Sequence, residues 1–359
     1  MGLTDRLARA AVRRPHVLLV PVPGQRTLRW GAEDALDQLG WGRATSPAEA
    51  DVLLSCGDPG RDLAEHIEVA WEGMPGPRAR AFATTTDEVG AALHAAVREL
   101  ADLPSQRHDA RTRTAARLSA ADQRDAAPEP PDEQAMPPDE NTMSPDEAEP
   151  DHDGMDLADA GMGGMDHSMD MDMELPGGLV MADRVEDRDG LRLEGLNLSL
   201  GPLLPGWPAG LRLDVLLSGD VLTRADVVRL DPRPEPAAPG ALLALDALAM
   251  LLEAAGWSEG ALRARRARAA GGAGPATDDL LRRLRRARLL RWSLRGLPAP
   301  GGGDLVDHLD RLVAVMRDDA QLPEADDADL AHDVVGLDLG TAALVVAAHA
   351  PLQPAPARV

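Results

Sequence analysis

The chain has 359 residues, a formal net charge of −23 and only 2% aromatic residues. This composition excludes non-specific nucleic-acid binding by the whole chain, because a polyanion repels phosphate backbones and few rings are available for base stacking. Cys56 is the single cysteine, which excludes an intrachain disulfide framework, a cysteine zinc site and an all-cysteine iron–sulfur cluster.

The first predicted domain covers residues 1–104 and alternates short apolar runs with amphipathic stretches. The runs predict buried strands and the stretches predict helices. In chain order these are strand 16–20, helix 30–39, strand 50–56, helix 62–71, strand 79–84 and a helix capped by Thr86 or Asp87 that ends near residue 100. Apolar strands separated by helices are typical of parallel β-α units. We therefore expect an α/β fold with a small doubly wound parallel sheet.

The second predicted part is an acidic linker over residues 105–176. Between Asp125 and Glu174 the sequence holds 17 Asp and Glu, eight of the 13 Met, seven of the 30 Pro and no Arg. Aromatic and β-branched apolar residues are missing from this stretch, so it cannot bury enough apolar area to offset the entropy of ordering. The composition predicts a disordered linker.

The third part, residues 177–359, is predicted to be an α+β domain. Leucines alternate with polar residues at period two over 191–193, 196–200 and 211–217, and after a turn at 218–220 a returning strand covers 221–228. Helices are predicted over 241–255, 259–270, 277–295, 304–316 and 326–349. We expect a small antiparallel sheet followed by a helical bundle.

The segment Leu200–Asp226 resembles the start of the quinone-site large subunit of NADH-quinone oxidoreductase (respiratory complex I), a relative of the nickel–iron hydrogenase large subunit. The family pattern is G-P-x-H-P-x-x-H-G-x-L-R, followed by a strand, a glycine turn, another strand and Ala-Asp. The matching residues are Gly201, Pro202, Pro205, Leu211, Arg212, Gly219, Ala225 and Asp226.

The segment Ala50–Thr84 resembles the partner subunit of the same enzymes, which bears the terminal tetranuclear cluster. There an Ala-Asp and an apolar strand lead into a helix, followed by Met-Pro-x-Pro-Arg and a further strand. The matching residues here are Met74, Pro75, Pro77 and Arg78. The tail over Gly336–Leu352 also resembles the last helix of the large subunit. The resemblance implies a fusion of two subunits that dock together in the family.

The departures from the family pattern concern the residues that carry its chemistry. A cluster of the family's kind needs four thiolates, and this chain has Cys56 alone. The two large-subunit histidines are replaced by Leu204 and Pro208, and the chain has no Tyr to pair with a quinone head group. The sequence therefore favours a non-catalytic accessory or interaction protein over an enzyme. A working subunit of an NADH-quinone oxidoreductase-like complex remains an alternative.

A Met-, His- and Asp-rich stretch of the linker is the candidate metal site. Thioethers suit Cu(I), and imidazole suits copper, nickel and zinc. The candidate ligands are His152, Met162, Met165, Asp166, His167, Met169, Met171 and Met173. Copper is favoured over zinc, since thioethers are poor zinc ligands. Two interpretations of this stretch remain open. One is a soft-metal (copper or nickel) binding or delivery protein, and the other is an acidic linker without a ligand. The composition favours the linker without a ligand. No other cofactor is expected.

Three further features are interpreted as structural. Cys56 ends an apolar strand, which favours a buried thiol. The loop Pro21–Arg26 follows the first strand but lacks G-x-G-x-x-G, so a nucleotide site is not expected. For the arginines between Arg282 and Arg291, a solvated helix face or a face that pairs with the acidic linker is favoured over an anionic membrane or nucleic acid.

The expected partner is a protein. A respiratory or hydrogenase complex is the candidate, and nucleic acid is not expected. No run reaches the ~20 apolar residues of a membrane span. Peripheral membrane association stays an alternative, and we expect a cytoplasmic protein.

Overall fold

The computed structural model describes residues 14–125, 174–175, 179–180, 184–186, 192–318, 322 and 326–349. The described residues of Met1–Arg111 and Ala182–Val359 form one compact unit, and those of Thr112–Met181 form a second. The first unit therefore contains described residues from both of the predicted domains.

A four-stranded parallel sheet lies in the first part of that unit. Its strands are β1 (His16–Pro21), β2 (Gly42–Arg43), β3 (Val52–Cys56) and β4 (Ala79–Ala83). They lie in the order β2-β1-β3-β4, with Val17 opposite Val52 and Val52 opposite Ala79. Every residue of β3 is buried, as expected for a strand covered on both faces. The predicted parallel sheet is confirmed; β2 was missed because two residues carry no periodicity.

Three helices alternate with these strands, namely α1 (Arg26–Leu39), α2 (Arg61–Gly73) and α3 (Thr86–Ala101). Leu28 of α1 and Leu93 of α3 share a buried cluster with Leu54 of β3. Leu63 of α2 lies in a separate cluster with Leu53. Successive side chains of a strand point to opposite faces of the sheet. Helices α1 and α3 therefore pack on one face of the sheet, and α2 packs on the other.

The start of α3 lies one residue earlier than predicted. Thr85 is the N-cap residue, so the assignment of the cap to Thr86 or Asp87 was wrong. The Glu88 carboxylate accepts from the backbone N–H groups of Thr84 and Thr85, at 2.8 and 3.2 Å. An acidic residue three positions after the cap satisfies helix-end donors in this way, which selects Thr85 over its neighbours.

Helix α4 (Leu103–Asp125) covers residues that were assigned to the linker. The linker start at residue 105 is therefore corrected: residues 105–125 are helical. Arg78, only 4% exposed, anchors this helix. Its backbone N–H donates to Gln106 Oε1 at 2.9 Å, and its Nε donates to Asp109 Oδ2 at 3.2 Å. Polar tertiary contacts hold a helix that apolar periodicity does not reveal. Residues 126–173 of the predicted linker lie outside the described residues.

Two short antiparallel pairs follow in the chain. They are β5 (Glu174–Leu175) with β6 (Leu179–Val180), and β7 (Arg184–Glu186) with β8 (Arg192–Glu194). Strand β8 overlaps the strand predicted over residues 191–193.

A three-stranded antiparallel sheet is formed by β9 (Leu196–Leu200), β10 (Leu211–Ser218) and β11 (Val221–Arg229). The order is β11-β10-β9, and Ser218 pairs with Val221 across a tight hairpin. Leu211, Leu213 and Val215 are buried, whereas the residues between them are half-buried. The period-two pattern correctly predicted this sheet and its hairpin.

Seven helices complete the described chain. They are α5 (Gly240–Ala254), α6 (Ser258–Ala269), α7 (Pro275–Arg286), α8 (Arg288–Ser293), α9 (Leu305–Asp318), α10 (Asp327–Val334) and α11 (Leu339–His349). Leu245, Leu248 and Leu252 of α5 lie in one buried cluster with Leu213 of the antiparallel sheet. No described helix has the length and apolar character needed to cross a membrane.

Two of the predicted helices are each divided in two. The single helix predicted over 277–295 breaks at Ala287, whose ψ of 68° is not helical. The helix predicted over 326–349 breaks where Gly336 adopts a φ of 84°. There the Gly336 N–H donates to Leu222 O at 2.7 Å, and the Leu222 N–H donates to Leu337 O at 2.9 Å. Tertiary hydrogen bonds to β11 thus replace helical ones.

Candidate functional site

The loop between β1 and α1 presents backbone donors to a carboxylate from far along the chain. Gly24 has a φ of 78°, a conformation that suits glycine, and the Gln25 N–H donates to Val22 O at 3.1 Å. Glu235 Oε1 accepts from the Gly24 N–H at 2.9 Å, and its Oε2 accepts from the Arg26 N–H at 3.1 Å. The N-terminus of a helix attracts anions because its free N–H groups and dipole are positive. An internal carboxylate therefore occupies the start of α1.

The start of α2 is occupied in the same manner. Asp231 Oδ2 accepts from the Leu63 N–H in the first turn of α2, at 2.8 Å. A Cβ atom on Gly60 would collide with the Asp231 carboxylate, so only glycine leaves space at this position. Asp231 itself has a φ of 45°, a left-handed conformation that Asp tolerates better than most residues.

The segment Leu230–Glu235, which we call the strap, lies along the carboxyl end of the parallel sheet. Besides Asp231 and Glu235, Arg233 holds it in place by donating from Nη1 to Asp58 O at 2.8 Å. The Leu230 N–H donates to Gly210 O at 2.8 Å. Ligands of open α/β sheets bind in the crevice outside the carboxyl ends of the strands. Here the strap covers that edge with residues of the same chain.

A cavity of about 220 Å³ lies beside the strap. Its lining is mixed, with apolar and charged side chains from the β1–α1 loop, α1, the β9–β10 loop, the strap, α5 and α10. Among them are Val22, Arg26, Trp207, Arg233, Glu235 and Met250. A smaller cavity, of about 110 Å³, lies next to it and shares Pro21, Arg29, Trp207 and Met250.

Arg26 is the least satisfied charged group of the larger cavity. The residue is 7% exposed, and burial lowers the pKa of its guanidinium despite the opposing effect of Glu235. Its Nε lies 3.9 Å from Glu235 Oε2, beyond hydrogen-bond distance. Its Nη1 is buried and has no hydrogen-bond partner among the described residues. A buried N–H group without an acceptor costs free energy, because it has lost its hydrogen bonds to water.

A buried ion network lies next to the cavities, between α1, α5 and α6. Arg268 of α6 donates to Asp246 Oδ1 and to Glu33 Oε2, both at 2.8 Å. Arg29 of α1 also donates to both carboxylates, to Glu33 at 2.8 Å and to Asp246 through Nη2. The side chains of Asp246 and Arg268 are 1% and 2% exposed. Two arginines thus neutralise two buried carboxylates and join α1 to α5 and α6.

Arg265 adds two further ion pairs to this network. Its Nε donates to Asp37 Oδ2 at 3.1 Å and its Nη1 to Glu253 Oε2 at 3.0 Å. Burial raises the pKa of the Asp37 and Glu253 carboxyls. Burial acts in the same direction on Glu33, but Arg29 and Arg268 outweigh it and lower the pKa of Glu33 to about 2. Because the charges of this cluster are paired, we interpret it as structural. Its members are Arg29, Glu33, Asp37, Asp246, Glu253, Arg265 and Arg268.

Two histidines are buried in the helical part, His308 and His349. His308 of α9 is fully buried, and neither ring nitrogen has a hydrogen-bond partner in the described part of the chain. Burial, with smaller effects of Arg311 and His349, lowers the pKa of His308 to about 3. His349 Nε2 lies 3.4 Å from Asp333 Oδ2, and burial lowers its pKa against the effect of that carboxylate.

The structure places only some of the sequence-predicted site residues. The candidate metal ligands lie outside the described residues: His152, Met162, Met165, Asp166, His167, Met169, Met171 and Met173. Within the described ranges, no group of three or more His, Cys, Asp and Glu side chains is arranged to hold a metal ion. Leu204 lines the smaller cavity and Pro208 the larger one.

Cys56 is fully buried at the end of β3, as the sequence favoured. Burial raises the pKa of its thiol to about 12, so the thiolate needed for nucleophilic or redox chemistry is not populated near neutral pH.

Sequence reasoning named the loop Pro21–Arg26 but missed the role of Arg26, and it missed Asp231 and Glu235. The one local signal was the alternation of acidic residues with prolines at Asp231-Pro232 and Glu235-Pro236, which favours an extended segment. The contacts themselves join residues more than 160 positions apart.

The outer face of α7 and α8 carries exposed apolar and basic side chains. Leu289 is 76% exposed and Trp292 is 72% exposed, and their spacing of three places them on one side of α8. The exposed arginines of this face are Arg282, Arg283, Arg285, Arg286 and Arg288.

Comparisons of the chain with protein-family models, with curated proteins and with solved structures found no match.

Proposed function

We propose that this chain is a non-catalytic interaction protein, related to the respiratory NADH dehydrogenase and hydrogenase complexes that its sequence resembles. The observation that supports the proposal is the strap. Asp231 and Glu235 occupy the starts of α2 and α1 at the edge where an α/β sheet would otherwise receive a ligand. A nucleotide or cluster at this edge would have to displace both carboxylates.

The residues missing from the sequence support the same proposal. One cysteine cannot supply the four thiolates of the family's cluster, and Leu204 and Pro208 cannot move the protons that the family's histidines would. Half of the residues that match the family are glycines and prolines, which shape the backbone. In this interpretation the α/β part is a doubly wound domain, the last seven helices form a bundle, and the protein acts in the cytoplasm.

We assign the docking surface to the outer face of α7 and α8. The exposed Trp and the arginines of this face match the residue types that dominate protein–protein binding energy. All five arginines of this face are exposed, and two of them, Arg282 and Arg283, pair with Asp279 at 3.2 and 2.8 Å. Since this face is positive on a chain of net charge −23, the partner it fits is a protein with an acidic surface around an apolar pocket.

The test is affinity capture with the purified full chain from solubilised membranes of the source organism. We expect subunits of an NADH dehydrogenase or hydrogenase complex, and a loss of about tenfold in capture for Trp292→Ala. Val69→Ala is the matched control, because Val69 is equally exposed (74%) on α2.

Quinone reduction by the isolated chain, or capture that Trp292→Ala leaves unchanged, would overturn the proposal. Binding to anionic vesicles that depends on Trp292 would assign the face to a membrane surface instead.

A second candidate function, soft-metal binding, is favoured by one observation: eight methionines and two histidines lie between Asp125 and Glu174. A Cu(I) titration against a competing chelator tests it. Stoichiometric binding that is lost on replacing Met165, His167 and Met169 would support a copper-binding or delivery role, and equal binding by this variant would exclude that role for these residues.

A further inference from the structure

The cavity beside the strap combines a mixed lining with an excess of positive charge. Four arginines and three carboxylates line it. Three of the arginines are satisfied: Arg29 by Glu33 and Asp246, Arg229 by Asp327, and Arg233 by Asp58 O. Arg26 is the remaining one, with its buried Nη1 unpartnered among the described residues. Among the arginines of this lining, Arg26 therefore has the largest unmet hydrogen-bonding capacity.

Glu235 does not meet the demand of Arg26. Its two oxygens accept from the backbone N–H groups of Gly24 and Arg26, and Arg26 Nε lies 3.9 Å from Glu235 Oε2. A guanidinium forms its strongest hydrogen bonds with carboxylate or phosphate oxygens, which are shorter and about twice as strong as neutral ones. The Arg26 guanidinium can therefore donate a hydrogen bond to one further anionic oxygen.

The rest of the cavity selects the body of the ligand. Val22, Trp207 and Met250 provide apolar contacts, and Trp207 is itself held by donating from Nε1 to Leu211 O at 2.7 Å. The volume of about 220 Å³ lies below the ~300–1,000 Å³ of pockets for drug-sized ligands, so the ligand has roughly ten non-hydrogen atoms.

We propose that this cavity binds a small organic carboxylate, whose anionic end accepts from the Arg26 guanidinium and whose apolar body packs against Trp207 and Met250. The ligand lies beside Glu235 at the boundary of the strap, so its binding stabilises the strap on the sheet edge. This inference does not depend on the proposed function, because a ligand-regulated interaction protein and an isolated binding protein would both have this site.

The experiment is a fluorine NMR titration of the full chain with para-fluorobenzoate. Para-fluorobenzamide is the uncharged control of the same shape. We expect saturable binding of the benzoate and binding of the benzamide that is about tenfold weaker or more, since one charge-assisted hydrogen bond contributes about 1.5–3 kcal/mol.

Three variants locate the site. We expect Arg26→Gln to weaken benzoate binding about tenfold or more, and Met250→Trp to abolish it by filling the cavity without changing any charge. Arg288→Gln, at an exposed arginine outside the cavity, should leave the affinity unchanged.

Circular dichroism confirms that each variant is folded, and Met250→Trp keeps the test valid if Arg26→Gln is not. Absence of benzoate binding at millimolar concentration, equal binding of the benzamide, or unchanged binding by a folded Arg26→Gln or Met250→Trp would each overturn the proposal. In that case the cavity holds only water.

Discussion

Arginine has opposite roles in two neighbouring regions of this molecule. Between α1, α5 and α6, the side chains of Arg265 and Arg268 are 7% and 2% exposed, and each contacts two or more carboxylates. On α7 and α8, Arg286 and Arg288 are exposed. Because the chain has no lysine, one residue type must provide both buried ion pairs and surface charge. The comparison shows that burial and pairing, rather than local arginine density, decide which arginines hold the fold together.

The largest expected effect comes from removing a buried arginine. Arg268→Ala leaves Glu33 and Asp246 with Arg29 as their remaining described partner, and we expect a loss of about 3–5 kcal/mol in the free energy of unfolding. Urea denaturation of the full chain measures it.

Arg286→Ala is the matched exposed control, and we expect it to change the stability by no more than about 0.5 kcal/mol. Equal losses for the two variants would show that pairing and burial do not separate these arginines.

The second-largest expected effect is a pH dependence of the stability caused by His308, a buried imidazole. Since the folded pKa of His308 is about 3 and its ordinary value is 6.5, the unfolded chain takes up the proton first as the pH falls. His308 therefore contributes stability above pH 6.5 that declines by about 1.4 kcal/mol per pH unit between 6.5 and 3, or about 2 kcal/mol at pH 5.

Urea denaturation of the wild type and of His308→Leu at pH 7 and at pH 5 checks this value. His308→Leu should reduce the pH dependence, to which His349, whose pKa burial also lowers, still contributes. A wild-type chain that is as stable at pH 5 as at pH 7 would contradict it. Measurements stay at or above pH 5 because the stability contributed by Glu33, whose folded pKa is about 2, is lost only as the pH falls below its ordinary value of 4.5.

The smallest expected effect is on the stability of the contact between the strap and α2, compared with a substitution on α3 that lies outside the strap. Gly60→Ala forces the Asp231 carboxylate away from the start of α2, and we expect a loss of about 1–2 kcal/mol, the value of a helix cap.

Gly90→Ala is the control, because an added Cβ atom there meets no described heavy atom within 4 Å. Alanine favours a helix interior by about 0.5–1 kcal/mol, so this variant should be more stable than the wild type. Thermal unfolding distinguishes the opposite signs, and a stabilising Gly60→Ala would refute the role of the strap.

The order of strands and helices was largely predictable, because each element carries a local period. The alternation of Leu211, Leu213 and Val215 predicted β10, and the apolar run at Val52–Cys56 predicted β3. The break at Gly336 was not predictable, since it depends on hydrogen bonds to Leu222, more than 110 residues earlier.

The candidate site was largely hidden from sequence reasoning for the same reason. The loop Pro21–Arg26 was identified by its place after the first strand, but its occupation by Glu235 needs a contact across 211 residues. Arg26 gives no sign in the sequence that its Nη1 will be buried. Capping by a distant carboxylate produces no periodicity, because it involves one side chain and one helix start.

The separation between the strap and the helices that it caps also has a consequence for biosynthesis. Chains emerge from the ribosome from the amino end, so α1 and α2 are synthesised long before Asp231 and Glu235. Throughout that interval the nascent protein has two helix starts whose final anionic partners do not yet exist. Completion of the amino-terminal half therefore waits for translation of residue 235.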